Sequence, residues 1–343
     1  MALEEAPPFW WKRPGIQAIF LAPVGYIYGK IAGSRMNVPP SFLPSVPVIC
    51  IGNFIIGGAG KTPTVELLTK DVIERGMRPG ILTRGYGGAI KNATIVRLDK
   101  HNSKDVGDEA LLHASQTMTV VSADRPSGAK LLVENGCDLI LMDDGFQNPS
   151  ISKDYCLVVV DSNRGLGNGM TFPAGPLRVP FGEQLRYANG VLFIGESKQS
   201  DKVIRRTAKL GRSTFHAEIR ERNGHEFDGK EVFAFAGISD PEKFYFSLSR
   251  AGAEIKDRQS FGDHHYFTDE ECNELLQTAS SKNLVPVTTT KDRARLRGMG
   301  EAQQRLHNAS KALEIELVPE HPDMLNIVIE TALKRGYDRT VFA

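Results

Sequence analysis

The chain has little of what marks several common classes of protein. Lys and Arg (42) nearly balance Asp and Glu (41), which leaves a formal net charge of +1 over 343 residues. Such a balance does not favour a nucleic-acid partner. Cysteine is scarce as well, and the four cysteines, Cys50, Cys137, Cys156 and Cys272, lack the spacing of a metal site. We interpret them as buried, reduced thiols of a cytosolic protein.

Long apolar runs are also missing. A bilayer-spanning helix needs roughly 20 apolar residues, whereas the stretch from Ile16 to Tyr28 is shorter and Pro23 interrupts it. The residues before it, Phe9 to Arg13, are aromatic and basic and lack the order of a signal peptide. That combination predicts a non-spanning, membrane-associating segment over residues 1–35. A helix that packs on the protein's own core fits equally well.

A glycine-rich turn follows the first strongly apolar run. Val46 to Pro63 reads VPVICIGNFIIGGAGKTP, which predicts a strand, a phosphate-binding loop and the start of a helix. Lys61 supplies a cation for the phosphates, and Thr62 supplies a hydroxyl for magnesium. The strict P-loop pattern has glycine at the position of Ile55, so an ordinary glycine-rich turn is the alternative. The predicted ATP contacts are Ile55, Ile56, Gly57, Gly58, Ala59, Gly60, Lys61 and Thr62.

A second segment ends an apolar run in two carboxylates. Cys137 to Gln147 reads CDLILMDDGFQ, and a strand that delivers an acid beside a P-loop is how Walker B geometry holds magnesium. Asp143 and Asp144 are therefore predicted metal ligands together with Thr62. Neighbouring residues of a strand point to opposite faces, so the pattern leaves open which aspartate meets the metal. Taken alone, the segment also fits a solvated Asp-Asp-Gly turn.

Apolar, β-branched runs recur along the chain with helical patterns between many of them. This arrangement predicts an α/β fold with a P-loop NTPase-like, mostly parallel sheet, helices on both faces and a smaller C-terminal α/β region. We expect a P-loop core over residues 36–189, and a C-terminal domain over 190–343 that closes over the nucleotide. The predicted strands are Ile81–Thr83, Met118–Ser122, Leu139–Met142, Leu157–Val160, Val191–Ile194 and Val232–Ala236, and the last helix is Pro322–Lys334.

Further polar residues are candidates for chemistry. Asp108 stands near a predicted helix start, where a helix cap is the plain alternative. His264 and His265 precede Thr268, whose spacing to Glu271 predicts a capping box. Loop histidines are usually solvated, but a histidine paired with a carboxylate can take a proton from a hydroxyl near neutral pH. Basic residues suited to phosphate are Arg84, Arg125, Arg178, Lys291, Arg293 and Arg295.

A set of motifs, in order, gives the chain a specific resemblance. It resembles the tetraacyldisaccharide 4'-kinase family of the lipid A pathway through IGNFIIGGAGKTP, TRGYGG, GDEALL, DDGFQ, PAGPLR, FAGISDPEKF, GDHHYFT and TTTKDRARL. The N-terminal aromatic and apolar segment also resembles the membrane-associated start of that family. The resemblance implies ATP- and Mg²⁺-dependent phosphorylation of the 4'-hydroxyl of a tetraacylated glucosamine disaccharide 1-phosphate, giving lipid IVA. It also implies a peripheral location on the cytoplasmic face of a bacterial inner membrane.

The resemblance further implies roles for single residues. Asp108 and His264 would form the proton acceptor, with Lys61 as the third catalytic residue. The surrounding substrate site would contain Asn53, Arg84, Tyr86 and Arg178.

Two positions depart from the family pattern. Val179 and Thr290 stand where the family commonly has glutamate. An acidic contact near the substrate or metal is therefore missing or replaced, although no phosphate-cradle or base residue is lost.

Two other functions stay open at this point. One is a membrane-associated P-loop NTPase switch that phosphorylates no lipid. Against it, no DxxG motif follows the Asp143 strand, and Lys291-Asp292 lacks the intervening residue of a guanine site. The other is a catalytically silent, lipid-binding scaffold.

Overall fold

The apolar runs of the chain form the strands of two sheets. A computed structural model describes residues 6–341, with side chains as far as residue 339. The strands are β1 (Val48–Asn53), β2 (Pro79–Thr83), β3 (Thr94–Ile95), β4 (Thr119–Val121), β5 (Leu139–Asp143), β6 (Tyr155–Asp161), β7 (Gly190–Ile194), β8 (Ser213–Glu221), β9 (Glu231–Ala236), β10 (Glu254–Ser260), β11 (Val285–Thr289), β12 (Lys311–Leu313) and β13 (Ile315–Pro319).

Helices connect most of these strands. They are α1 (Ile16–Met36), α2 (Lys61–Glu74), α3 (Ser103–Val106), α4 (Asp108–Ala114), α5 (Arg125–Glu134), α6 (Phe181–Tyr187), α7 (Asp201–Lys209), α8 (Pro241–Arg250), α9 (Asp269–Ser281), α10 (Thr290–Leu296), α11 (Glu301–Ala309) and α12 (Asp323–Val341). Short 3-10 helices cover Pro8–Trp11 and Gly224–Glu226. Every predicted strand lies on or within one residue of an observed strand. The predicted last helix begins one residue before α12, and α12 extends beyond its predicted end.

The large sheet has nine strands in the order β13-β8-β7-β6-β1-β5-β2-β4-β3. All neighbours run parallel except the edge pairs β8–β13 and β3–β4. Side chains alternate between the faces, so Val48 and Cys50 point to one core cluster and Ile49 and Ile51 to the other. Helices α1, α5, α6 and α7 pack on the first face and α2 and α12 on the second. The predicted mostly parallel sheet with helices on both faces is confirmed.

The small sheet has four parallel strands in the order β10-β9-β11-β12. Helix α8 packs on one face of it, and α9, α10 and α11 pack on the other. Strands β7, β8 and β13 belong to the large sheet, so residue 189, the predicted end of the core, lies between two neighbouring strands of that sheet. The smaller α/β unit is built from residues 231–313.

Helix α1 has its large apolar side chains on the exposed side and small residues on the buried side, the opposite of a usual surface helix. Its buried face is made largely of Gly25, Gly29 and Gly33, and a Cβ added at Gly25 would lie 2.7 Å from the carbonyl oxygen of Thr171. The close packing therefore depends on residues without side chains. The outward stripe is apolar and comprises Ile16, Ile19, Phe20, Val24, Ile27 and Ile31.

Pro23, which interrupts the apolar run in the sequence, lies inside α1, and the helix continues through it. No helix of the described chain is both long and apolar enough to cross a membrane. All four cysteines are buried and free, as predicted.

Candidate active site

The P-loop joins the end of β1 to the start of α2, as predicted. Gly60, with φ of 88°, caps α2 in the left-handed region, and a Cβ there would collide with Ile194. Asn53 is fully buried, and its Nδ2 donates to the carbonyl oxygen of Gly57 at 2.8 Å. The structure thus places Asn53 beneath the loop, where it fixes the backbone that precedes Lys61.

Asp144 lies just beyond β5 and faces the P-loop. Its φ of 51° turns the backbone directly after Asp143, the last residue of β5. Asp144 Oδ1 lies 3.7 Å from Lys61 Nζ and 3.0 Å from an Arg178 guanidinium nitrogen. Burial raises the pKa of Asp144, but the charges of Lys61 and Arg178 outweigh it and hold that pKa well below the usual range. Arg178 also donates to the carbonyl oxygen of Ile55 at 3.1 Å, which places this predicted substrate contact against the P-loop.

Asp143 has a different environment, formed by a residue that the sequence reasoning missed. His113 of α4 is fully buried, and its Nε2 lies 3.1 Å from Asp143 Oδ2. Burial lowers the pKa of His113, but the hydrogen bond to Asp143 and the negative charges of Asp143, Glu109 and Glu66 together outweigh it, and the net shift is upward. Among the described residues, Asp143 Oδ1 is buried without a hydrogen-bond partner. The signal in the sequence was a histidine five residues after Asp108, in a short helix that begins with two acids.

The structure brings Asp108 and His264 together. Asp108 opens α4, is nearly buried, and has Oδ2 at 3.2 Å from His264 Nδ1. Arg295 of α10 donates from Nε to the same carboxylate oxygen at 2.7 Å. Burial raises the pKa of Asp108, but His264 and Arg295 outweigh it and the pKa is strongly lowered. Burial lowers the pKa of His264, the Asp108 hydrogen bond raises it, and the net shift is upward.

The neighbouring histidine belongs to a different cluster. His265 Nε2 lies 2.8 Å from Glu271 Oε2, and its ring stacks on Phe261 at 4.8 Å between centroids. Glu271 and Thr268 form the predicted capping box of α9. His265 therefore belongs to the aromatic and capping cluster at the start of α9, whereas His264 pairs with the buried carboxylate of Asp108.

Glu109 links the P-loop to the small unit, and sequence reasoning missed it. Its Oε1 accepts from the Thr62 hydroxyl at 3.2 Å and from Lys291 Nζ at 2.6 Å. Lys291 is the main cause of the lowered pKa of Glu109, about 2, which burial opposes. The carboxylate stands directly after Asp108, so the two acids that open α4 bind two cations of α10.

The other basic candidates have varied surroundings. Arg125 is buried and donates to the carbonyl oxygen of Ser122, and Arg293 donates to that of His307. Arg84 is exposed beyond β2, near Tyr86, whose ring centroid lies 5.2 Å from that of His264.

The two family departures take different places in the structure. Val179 is buried in the core beside α1, and Thr290 begins α10.

A cavity of about 1080 Å³ lies between the P-loop and the small unit. Its lining includes Gly58, Ala59, Thr62, Ile194, Ser239 and Lys291. This volume reaches the upper end of the range found for small-molecule sites, which suits a nucleotide. Within the described part of the chain, no three His, Cys, Asp or Glu side chains converge as a preformed metal site.

Comparisons with known proteins identify the family of the chain. The model of the family described as tetraacyldisaccharide-1-P 4'-kinase matches residues 17–334. The chain is 46% identical to the tetraacyldisaccharide 4'-kinase of Agrobacterium fabrum, covering 96% of this chain and 95% of that protein. It is 44% identical to the enzyme of the same name from Sinorhizobium fredii, covering 99% of each.

A solved structure extends the likeness to three dimensions. The crystal structure of LpxK from Aquifex aeolicus, in complex with ATP, superposes with a TM-score of 0.72 at 26% identity. The match covers 93% of this chain and 100% of that one. The chain therefore belongs to the tetraacyldisaccharide-1-P 4'-kinase family.

Proposed function

We propose that the chain transfers the γ-phosphate of ATP to the 4'-hydroxyl of a tetraacylated glucosamine disaccharide 1-phosphate, giving lipid IVA in lipid A biosynthesis. The Asp108–His264 pair carries the proposal, because it supplies a proton acceptor beside a P-loop. Asp108 connects to the loop through its neighbour Glu109, which accepts from Thr62. Family membership of nearly the whole chain supports the same activity and does not favour an NTPase switch.

Phosphoryl transfer demands positioning and charge neutralisation more than covalent chemistry. The backbone of Gly57–Gly60 would receive the phosphates, and Lys61 would offset charge on the transferring group. Lys61 is positioned for this role by its counterion Asp144. Asp144 also pairs with Arg178, and this pair helps to hold the loop in place. The cavity would take the rest of the nucleotide, and the small unit would close over it.

His264 would accept the proton of the sugar hydroxyl as it attacks. Asp108 binds Nδ1 of the ring, so Nε2, which lies 3.9 Å from Asp263 Oδ1, is the nitrogen that would take the hydroxyl proton. Arg295 holds Asp108 as a carboxylate, so the pair has a negative charge available to stabilise the imidazolium that forms. Tyr86 packs beside the imidazole and would line the sugar site with Arg84.

The residues present fit a magnesium ion. Asp143 Oδ1 is a buried carboxylate oxygen without a partner in the described structure, and oxygen ligands are what Mg²⁺ prefers. Asp143, Asp144 and the Thr62 hydroxyl would hold the ion, in keeping with its preference for few protein ligands plus phosphate and water. Bound there, Mg²⁺ would neutralise charge on the β- and γ-phosphates.

The apolar stripe of α1 supports attachment to a membrane surface. Ile16 is 88% exposed and Phe20 is 82% exposed, a costly arrangement in water that an acyl-chain boundary would relieve. Trp10 is buried against Phe172, which fixes the chain where it enters α1. We therefore place the protein peripherally on the cytoplasmic face of a bacterial inner membrane, where its acylated substrate would lie.

Labelled ATP tests the activity directly. Purified protein incubated with γ-labelled ATP, magnesium and the tetraacylated disaccharide 1-phosphate in detergent should give a labelled lipid. An NTPase switch would release labelled phosphate without a labelled lipid, and a scaffold would release neither. A disaccharide already phosphorylated at the 4' position is the matched control substrate and should stay unlabelled.

A further inference from the structure

Helix α7 presents a basic surface. Segment 196–212 contains six basic residues and two acidic ones. Val203 and Thr207 are the buried side chains of α7, so Lys202, Arg205 and Lys209 are exposed on the outer side. Among residues 6–339, no acidic side chain pairs with any of these three. A cluster of free cations of this density favours an anionic partner.

This basic surface lies on the same face of the large sheet as α1. Val203 of α7 and Met36 of α1 belong to one core cluster, which lines that face. Helix α6 connects the two helices, because the Arg206 guanidinium lies 5.2 Å over the Phe181 ring while Glu183 packs against Gly33. The outer sides of α1 and α7 therefore point away from the sheet in the same general direction.

The two outer sides have complementary chemistry. The stripe of α1 is apolar, as Phe20 and Ile27 show at 82% and 60% exposure, and the outer side of α7 is cationic. A bilayer with anionic lipids offers both counterparts at once, an acyl boundary and a layer of negative headgroups. An acidic protein would match α7 and leave the apolar stripe in water.

We propose that α7 is a second membrane contact, which binds anionic phospholipid headgroups while the apolar stripe of α1 enters the interface. This proposal rests on the proposed membrane attachment through α1. It assigns to α7 the preference for anionic lipid and to α1 the binding that does not depend on lipid charge. Headgroup binding by α7 also fixes the rotation of the protein about α1, and so the direction in which the active site faces.

Vesicle partitioning of the full chain tests the proposal. Each Lys or Arg near an anionic membrane contributes about fivefold to binding, so three of them contribute about 100-fold. The test variant is Lys202→Gln, Arg205→Gln and Lys209→Gln together. The control variant changes Lys70 and Lys334, whose helices α2 and α12 lie on the opposite face, and Lys230, which directly precedes β9, each to Gln.

We expect the test variant to lose about 100-fold in binding to vesicles of phosphatidylcholine mixed with phosphatidylglycerol, and nothing on phosphatidylcholine alone. The control variant should bind both vesicles like the unchanged chain. Phe20→Ser should weaken binding to both kinds. Equal binding of the mixed vesicles by the two triple variants overturns the proposal and leaves α7 as a solvated face or a site for an acidic protein.

Two further measurements separate the possible failures. Arg205→Gln alone should cost about fivefold, which keeps the test decisive should the triple variant prove unstable on heating. Turnover of detergent-dispersed substrate should be the same for the test variant and the unchanged chain. Absence of a labelled lipid with the unchanged chain would refute the proposed activity, whereas the vesicle results would still decide the role of α7.

Discussion

The paired Asp108 and His264 give the most demanding prediction, because the two residues come from different units of the fold. We expect His264→Ala and Asp108→Asn each to lower kcat by about 100-fold or more, the range of general-base catalysis. Asparagine is preferred to alanine at position 108, because Arg295 is 2% exposed and would lose a partner at 2.7 Å. Arg295 would keep Asp292 as a carboxylate partner at 2.7 Å, but each hydrogen bond lost between Arg295 and position 108 would still cost about 1.5–3 kcal/mol of stability, which would complicate the interpretation of kcat.

The double variant distinguishes one proton-accepting unit from two separate contributions. Groups that act in one step are non-additive, so Asp108→Asn with His264→Ala should be scarcely slower than the slower single variant. Independent contributions of about 100-fold each would instead multiply to about 10,000-fold. The assay is single-turnover transfer of labelled phosphate at saturating ATP, with ATP affinity measured separately. A multiplicative loss would refute the pairing.

His265→Ala is the internal control. This residue pairs with Glu271 at 2.8 Å and stacks on Phe261, so its loss should lower stability by about 1–2 kcal/mol and leave kcat near normal. Thermal unfolding measures the first effect and turnover the second. A strongly lowered kcat in His265→Ala, together with a near-normal kcat in His264→Ala, would show that the choice of histidine is wrong.

The pH dependence follows from the same contact. His264 accepts a proton only when neutral, so kcat should fall as pH drops through its pKa, which Asp108 raises above the ordinary 6.5. In Asp108→Asn the raising hydrogen bond to a charge is gone and burial lowers the pKa, so the acid limb should move to lower pH while the maximum rate falls. An unmoved limb would assign the titration to another group.

Three other variants test the remaining parts of the site. Lys61→Ala should cost at least about 100-fold in turnover with the fold intact, since Asp144 keeps its pair with Arg178; near-normal lipid phosphorylation would refute the P-loop role. His113→Asn should raise the Mg²⁺ concentration that gives half-maximal rate by about tenfold or more. It should also reduce the increase in thermal stability of the ATP-bound protein that Mg²⁺ produces. An unchanged response of both to Mg²⁺ would show that His113 does not act on the metal. Phe20→Ser with Ile27→Ser should weaken vesicle binding and leave ATP affinity unchanged, and unaltered partitioning would show that the apolar stripe does not meet lipid.

Much of the large sheet could be predicted because its strands are buried on both faces. Runs such as Leu139–Met142 and Leu157–Val160 are continuously apolar, and parallel strands between helices have that composition. The membership of the sheet was harder to predict, because strand order depends on pairing between distant segments. Strands β7, β8 and β13 follow residue 189 and yet extend the large sheet, which no local pattern indicated.

The candidate site shows the same difference between features that depend on local sequence and features that depend on contacts between distant segments. The positions of the P-loop and of Asp143-Asp144 at the ends of strands could be predicted because each depends on a short, contiguous pattern. The contact of His113 with Asp143 could not, since it depends on how α4 packs against β5. Glu109 was hidden for a similar reason, because its cation Lys291 lies 182 positions away in the chain.

The start of α4 connects the two halves of the proposed reaction. Lys291 and Arg295 are four residues apart in α10 and therefore lie on one face of that helix, where they meet Glu109 and Asp108. Glu109 also accepts from Thr62, a proposed metal ligand, and Asp108 also binds His264, the proposed base. A displacement of α10 relative to the large sheet would thus disturb the phosphate side and the hydroxyl side of the site together. Because both sides depend on one helix terminus, closure of the small unit would position the acceptor only where the phosphate-binding loop is also in place.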